Sequence, residues 1–167
     1  MRKYLILLFI LTNSFFVKAQ TNAVWIEAES FAQKGGWVVD QQFMDQMGSP
    51  FLMAHGMGIP IKNAETEVTF PKSGKYKVFV RTRNWAARWT DKDSPGKFRI
   101  AINGKLLSPV FGTQSSDWFW QEGGTVDIAK TKVKLSLNDL TGFNGRCDAI
   151  LFTTDLNYIP PVEKNAL

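Results

Sequence analysis

The sequence predicts an all-β fold, an antiparallel β-sandwich of jelly-roll type, on three observations. Apolar and polar residues alternate over four separate runs, turn-forming residues punctuate the intervals, and no long helical period occurs after residue 19. Period-two alternation puts one face of each strand on a core and the other in water, as in antiparallel sheets.

The first 19 residues stand apart. Arg2 and Lys3 precede an apolar run from Tyr4 to Leu11, and Val17-Lys18-Ala19 closes the segment. This is the layout of a secretory signal, with an apolar core too short for a stable membrane span. Cleavage is expected after Ala19, leaving no membrane span and a secreted or periplasmic protein. Residues 1–19 are therefore read as signal peptide and 20–154 as one sandwich. Residues 155–167, which contain Pro160-Pro161, are read as a linker leading out of the domain.

The charge argument changes with cleavage. Of the formal +5, Arg2, Lys3 and Lys18 belong to the signal; the remaining 17 basic and 15 acidic residues give +2. So small an excess makes no electrostatic case for nucleic acid. Cys147 is the one cysteine, so no internal disulfide supports the fold, and it reads as a small buried hydrophobe.

Taken in order, residues 24–31 predict a first strand and Trp37-Val38-Val39 a second, after the Gly35-Gly36 turn. Residues 41–63 mix Met44, Met47, Met53 and Met57 with glycine and proline. They are expected to be irregular, packing over an end or edge of the sandwich. Val68 and Phe70 then alternate with Glu67 and Thr69. Tyr76, Val78 and Val80 alternate with Lys75, Lys77, Phe79 and Arg81, which places Phe79 on the solvent side. Phe98, Ile100 and Ile102 form the next inner row, and Asn103-Gly104 predicts a hairpin into Lys105-Leu106-Leu107. Trp118 and Trp120 are expected on one face of a short strand. Val133, Leu135 and Leu137 make a further inner row. Finally 138–152 reads as a polar loop, carrying Asp139, Asn144, Arg146 and Asp148, that runs into a short apolar strand.

Catalysis finds little support. His55 is the sole histidine, no serine or cysteine stands in a nucleophile elbow, and one histidine with one cysteine cannot build a zinc site. Asp91 with Asp93, or Asp117 with Glu122, lie in turn-like polar stretches where carboxylates are ordinary solvated groups. The chain is read as a non-enzyme.

Two other constellations remain. On a strand, Glu27 and Glu29 would share one face, and two close carboxylates repel unless a cation or hydrogen bonds compensate. Calcium completed by Asp148 would do so; so would solvent exposure, or a pair with Arg146. The tryptophans are the second. Trp85 and Trp89 flank a loop, with Trp118 and Trp120 nearby in sequence, and indoles stack on the apolar faces of sugar rings. Arg83, Arg146 and Asn144 supply polar partners for hydroxyls or a carboxylate. Trp25 and one of Trp118 and Trp120 are expected in the core instead.

Three segments resemble carbohydrate-binding modules of families 6 and 35: 24–31 their opening Glu-Ala-Glu strand, 74–81 their Gly-x-Tyr strand, and 148–152 their final Asp-x-Ile strand. The resemblance implies a galactose-binding-like jelly roll. It implies a structural Ca²⁺ held by Glu27, Glu29 and Asp148, and a polysaccharide or oligosaccharide ligand in the end loops. Trp118 or Trp120 and Asn144 match that sugar site. Asn144 lies farther before the last strand than in those modules, and no aromatic in 41–63 stands out as their first stacking ring.

Residues 35–45 and 139–148 resemble the N-terminal domain of secreted Bacteroidetes proteins. Many of these continue into an FAD-dependent oxidoreductase domain, and some are labelled xanthan lyase. This implies an attached catalytic domain as partner, since no flavin fingerprint occurs here. The competing expectation is a structural domain that packs on such an enzyme without touching sugar.

Overall fold

The computed structural model describes residues 21–89 and 93–161, so the expected signal, Asp91 and the last six residues of the expected linker lie outside the described residues. Ten strands run β1 Ala23–Glu27, β2 Trp37–Asp40, β3 Phe51–His55, β4 Ala64–Thr69, β5 Gly74–Thr82, β6 Phe98–Ile102, β7 Lys105–Leu106, β8 Phe119–Ile128, β9 Lys132–Asp139 and β10 Phe143–Thr153. A single helical turn, α1 Met44–Met47, interrupts them.

The strands form two antiparallel sheets. One has the order β2-β3-β10-β5-β8, with β1 also pairing β10; the other has the order β4-β9-β6-β7. Between them Phe31, Tyr76, Phe98, Phe111, Leu135 and Phe152 are fully buried. Each such side chain contributes roughly 1.5–3 kcal/mol through burial. The predicted inner rows Tyr76-Val78-Val80, Phe98-Ile100 and Val133-Leu135-Leu137 all point into this core. The Tyr76 hydroxyl donates to the Lys72 carbonyl at 2.8 Å, which removes the cost of burying it. The Asn103-Gly104 hairpin forms as read, with φ of 50° and 82° at its two corner residues, the left-handed values such a two-residue turn requires.

Three local expectations are corrected. The stretch 41–63 is not irregular throughout: β3 lies between β2 and β10 in the sheet. Its Phe51, Leu52 and Ala54 are buried on both faces, so no alternation marks it. Phe79, expected on the solvent side, is covered by the Tyr158 ring at 6.1 Å. The first strand stops at Glu27, and a 3₁₀ turn over Ala28–Ser30 carries Glu29.

Residues 155–161 lie against the outer face of the larger sheet. The Lys77 ammonium donates to the Tyr158 carbonyl at 3.5 Å, and Pro160 is buried. Among the described residues no helix is long and apolar enough to cross a membrane.

Candidate functional site

The polar loop expected ahead of the last apolar strand is shorter than read, because β10 already begins at Phe143. A tight turn over residues 140–142 leads straight into β10, so Asn144 and Arg146 sit on a strand and not in a loop. Asp139 builds the turn. Its carboxylate accepts from the Gly142 amide at 2.9–3.0 Å and from the Ile61 amide at 2.9 Å, tying the β3–β4 connection to this end. Asn144 has φ 60° at a bulge between Phe143 and Gly145, and its side-chain oxygen lies 2.9 Å from His55 Nδ1. The lone histidine is thus occupied in orienting Asn144.

Beside this turn, β5 ends and the chain rises into the tryptophan loop. The Asn84 side chain accepts from the Ala86 amide at 3.1 Å and shapes the loop that presents Trp85 and Trp89. The Trp85 ring stacks on Phe143 with centroids 5.9 Å apart and planes 21° apart, and its indole N–H donates to the Phe143 carbonyl. Trp89 stands 6.4 Å from Trp85 and is 74% exposed. Behind them Phe43, Phe51 and Trp118 form a second aromatic group, with Phe51 and Trp118 centroids 5.0 Å apart.

Two guanidiniums lie on these rings. Arg83 is 4.7 Å from the Phe43 centroid and 6.0 Å from Trp118; Arg146 is 5.7 Å from Trp85 and 6.0 Å from Phe51. Burial lowers the Arg146 pKa to about 10; neighbouring Arg83 adds to that and Asp40 opposes it. Burial and Arg88 likewise lower Arg83, against Asp117.

Of the predicted residues, Trp85, Trp89, Trp118, Arg83, Arg146 and Asn144 therefore gather at one end of the sandwich. Trp120 does not join them. It meets Trp25 edge to face at 4.9 Å on the outer face of the larger sheet, and its expected pairing with Trp118 on one face is not formed. Trp25, expected in the core, is 51% exposed. Phe43, Phe51 and Phe143 were missed. The aromatics absent from the reading of 41–63 are Phe43 and Phe51, which methionines and glycines masked.

The carboxylates form a separate group. Trp25 donates to Glu27 Oε1 at 2.6 Å, and the Ser49 hydroxyl lies 3.5 Å from Glu27 Oε2 and 3.4 Å from Asp148 Oδ1. Together with Arg81 and Trp120 they line a cavity of about 120 Å³. Glu29 Oε2 is buried with no hydrogen-bond partner, and burial raises the Glu29 pKa. Among the described residues no three His, Cys, Asp or Glu side chains converge closely enough to hold an ion alone. The donors are nonetheless all oxygens, one is unsatisfied, and they repel one another, which fits a hard cation completed by hydroxyl and carbonyl oxygens.

The acid pairs weighed for catalysis are dispersed. Asp117 is ion-paired with Arg88 at 2.6 Å, Glu122 with Lys77 at 3.4 Å, and Asp93 with Lys97. A larger groove of about 660 Å³ opens between edge strands β7 and β8, at the far end of β5, and contains none of the candidate residues.

This architecture is the β-sandwich of carbohydrate-binding modules of families 6, 35 and 36. A family 35 module from Clostridium thermocellum superposes with a TM-score of 0.58 at 18% identity, covering 78% of this chain and 96% of that one. The C-terminal family 6 module of a marine laminarinase from Zobellia galactanivorans gives 0.58 at 18% identity, covering 79% and 99%. A Podospora anserina β-(1,4)-mannanase containing a family 35 module gives 0.61 at 16% identity, with 84% of this chain matched to only 29% of that enzyme. No family model matches the sequence, and no curated protein matches it.

Proposed function

We propose that the chain is a secreted, non-catalytic module that binds a polysaccharide or oligosaccharide through the end bearing Trp85, Trp89 and Arg146. It serves there as the accessory domain of a larger polysaccharide-active or FAD-dependent enzyme. The observation that carries this reading is Trp89: an indole left 74% exposed beside a stacked Trp85–Phe143 pair. An exposed apolar ring beside polar side chains suits a binding surface, because burying it under a ligand recovers hydrophobic free energy. Indoles offer flat faces to the CH face of a pyranose, and Arg146 and Asn144 offer hydrogen bonds to its substituents. The superposable family 6 and 35 modules support the reading, since they are named as carbohydrate-binding and occur in a laminarinase and a mannanase.

A structural calcium belongs to the same proposal. Glu27, Glu29 and Asp148 would hold it, with the Ser49 region supplying further oxygens. Its role is to neutralise carboxylates that β1, the following 3₁₀ turn and β10 bring together. The end site lies apart from it.

Affinity electrophoresis through gels containing a panel of neutral and acidic polysaccharides tests the binding proposal. At least one polymer retards the wild type, and Trp89→Ala reduces that retardation by roughly tenfold, the loss of one good stacking contact. A wild type that runs unretarded through every gel would refute the proposal.

A further inference from the structure

The two sheets leave one side of the sandwich open, and each presents a free strand edge there. β8 ends the order of the larger sheet and pairs only with β5, while β7 ends the smaller sheet and pairs only with β6. Past the register shift opposite Lys77 and Phe79, Thr125–Ile128 run in regular pairing with Gly74–Lys77. Together with Lys105 and Leu106 these four residues border the groove of about 660 Å³. Ile102, Leu107 and Val126, half-buried against the core, also line it, and Leu106 beside them is 46% exposed.

Backbone N–H and C=O groups that point away from a strand's one neighbour are a template for a further strand. The outer edge of β4 is already bridged, because Gln33 and Glu65 exchange both backbone hydrogen bonds. No such bridge covers Thr125–Ile128 among the described residues. An acyl chain could fill an apolar groove but would pair no backbone group, so a free edge on the groove wall favours a peptide.

Charge narrows the partner. The Phe70 amide donates to the Thr131 carbonyl at 2.6 Å, which sets the turn bearing Lys72 beside the turn bearing Lys130. Lys72, Lys75, Lys105 and Lys130 are all exposed around this end, and none forms an ion pair. Asp127 is the one carboxylate lining the groove. A second copy of the chain would bring like charges together, and lysines at an edge guard against such self-pairing. An acidic strand would meet them favourably.

We infer that the β7–β8 groove is a docking site for an extended segment of a separate protein, alternating apolar and acidic residues, that adds a strand to β8. Its apolar side chains enter the groove beside Leu107 and Val126, and its carboxylates face Lys105 and Lys130. Alternation is required because successive side chains of a strand project to opposite faces. β5 begins beside this groove and ends below the tryptophan loop, so the docking site is separate from the glycan end and independent of it.

The test follows the backbone amide signals of the ¹⁵N-labelled wild-type protein during titration with a short acetylated peptide alternating glutamate and valine. Signals of Lys105, Leu106 and Thr125–Ile128 should move in a saturable way, with the Trp85 and Trp89 indole signals unmoved. An analogue N-methylated at every residue donates no backbone hydrogen bond and should bind at least about tenfold more weakly. Lys105→Glu should weaken the acidic peptide about fivefold and strengthen a lysine–valine peptide, a reversal that loss of folding would not produce. Amides that ignore the acidic peptide at millimolar concentration, an N-methylated analogue that binds equally well, or an unchanged preference in Lys105→Glu would each overturn the inference. Movement of the same amides with sodium laurate and not with peptide would make this a lipid site instead. Movement on concentrating the protein alone would make it a self-association surface, and either result overturns peptide docking.

Discussion

The Arg81 guanidinium stands 3.5 Å from the Asp148 carboxylate, and that carboxylate is 1% exposed. Burial outweighs the attraction of Arg81, and Glu27 and Glu29 add repulsion, so the Asp148 pKa rises from 3.8 to about 7. A carboxyl whose pKa is raised on folding binds its proton more tightly in the folded chain than in the unfolded one. Its favourable contribution is therefore complete below the unfolded value and is lost as the pH rises through about 7. In calcium-free buffer the melting temperature should fall between about pH 4 and pH 7, through a change of a few kcal/mol at most. Asp148→Asn should flatten that slope, and an unchanged slope in this variant would assign the effect to another group.

Calcium should reverse the trend. A cation binds the ionised carboxylates, so at neutral pH it stabilises the folded chain by about 2.7 kcal/mol at a hundredfold excess over its Kd. Differential scanning fluorimetry should show the melting temperature rising with added calcium and falling on chelation. Glu29→Gln, which alters the carboxylate with the unsatisfied oxygen, should abolish most of the shift. A wild-type melting temperature indifferent to both additions would remove calcium from the account.

The turn at Gly142 is predicted to be intolerant of any side chain. Gly142 has φ 64°, and a Cβ there would lie 2.0 Å from the Ile59 carbonyl oxygen, a backbone atom that cannot step aside. Gly142→Ala should cost about 2 kcal/mol or more, measurable by urea denaturation. It should also weaken glycan binding, because the turn positions Phe143 beneath Trp85. A variant of unchanged stability would show that the β3–β4 connection is free to move.

The sandwich was legible because the strands at Val68, Tyr76, Phe98 and Val133 each keep an apolar inner row that alternates with polar or charged residues, even where an outer residue such as Phe79 is covered. β3 escaped notice for the opposite reason: Phe51, Leu52 and Ala54 are all buried. A short apolar run of this kind has no period to read. In the site, residue types were legible but their grouping was not. Trp118 and Trp120 are two apart, yet the first turns to Phe51 and the second to Trp25, because β8 begins between them at Phe119. Glu27 and Glu29 were read as one strand face. The chain instead turns after Glu27, and the two still feel each other's charge across that turn. Arg83 and Arg146, 63 residues apart in sequence, meet only because β5 and β10 pair.

The central claim, that ligand is held at the Trp85–Trp89 end, is tested most directly by the indole N–H signals in a ¹⁵N-correlated spectrum during titration with a retained glycan. The six tryptophans report on three places: Trp85, Trp89 and Trp118 at the end, Trp25 and Trp120 on the outer sheet face, and Trp37 in the core. The account predicts that the Trp85 and Trp89 signals move in a saturable way while those of Trp25, Trp120 and Trp37 stay in place. Movement of Trp25 and Trp120 alone, with Trp85 and Trp89 unchanged, would contradict it.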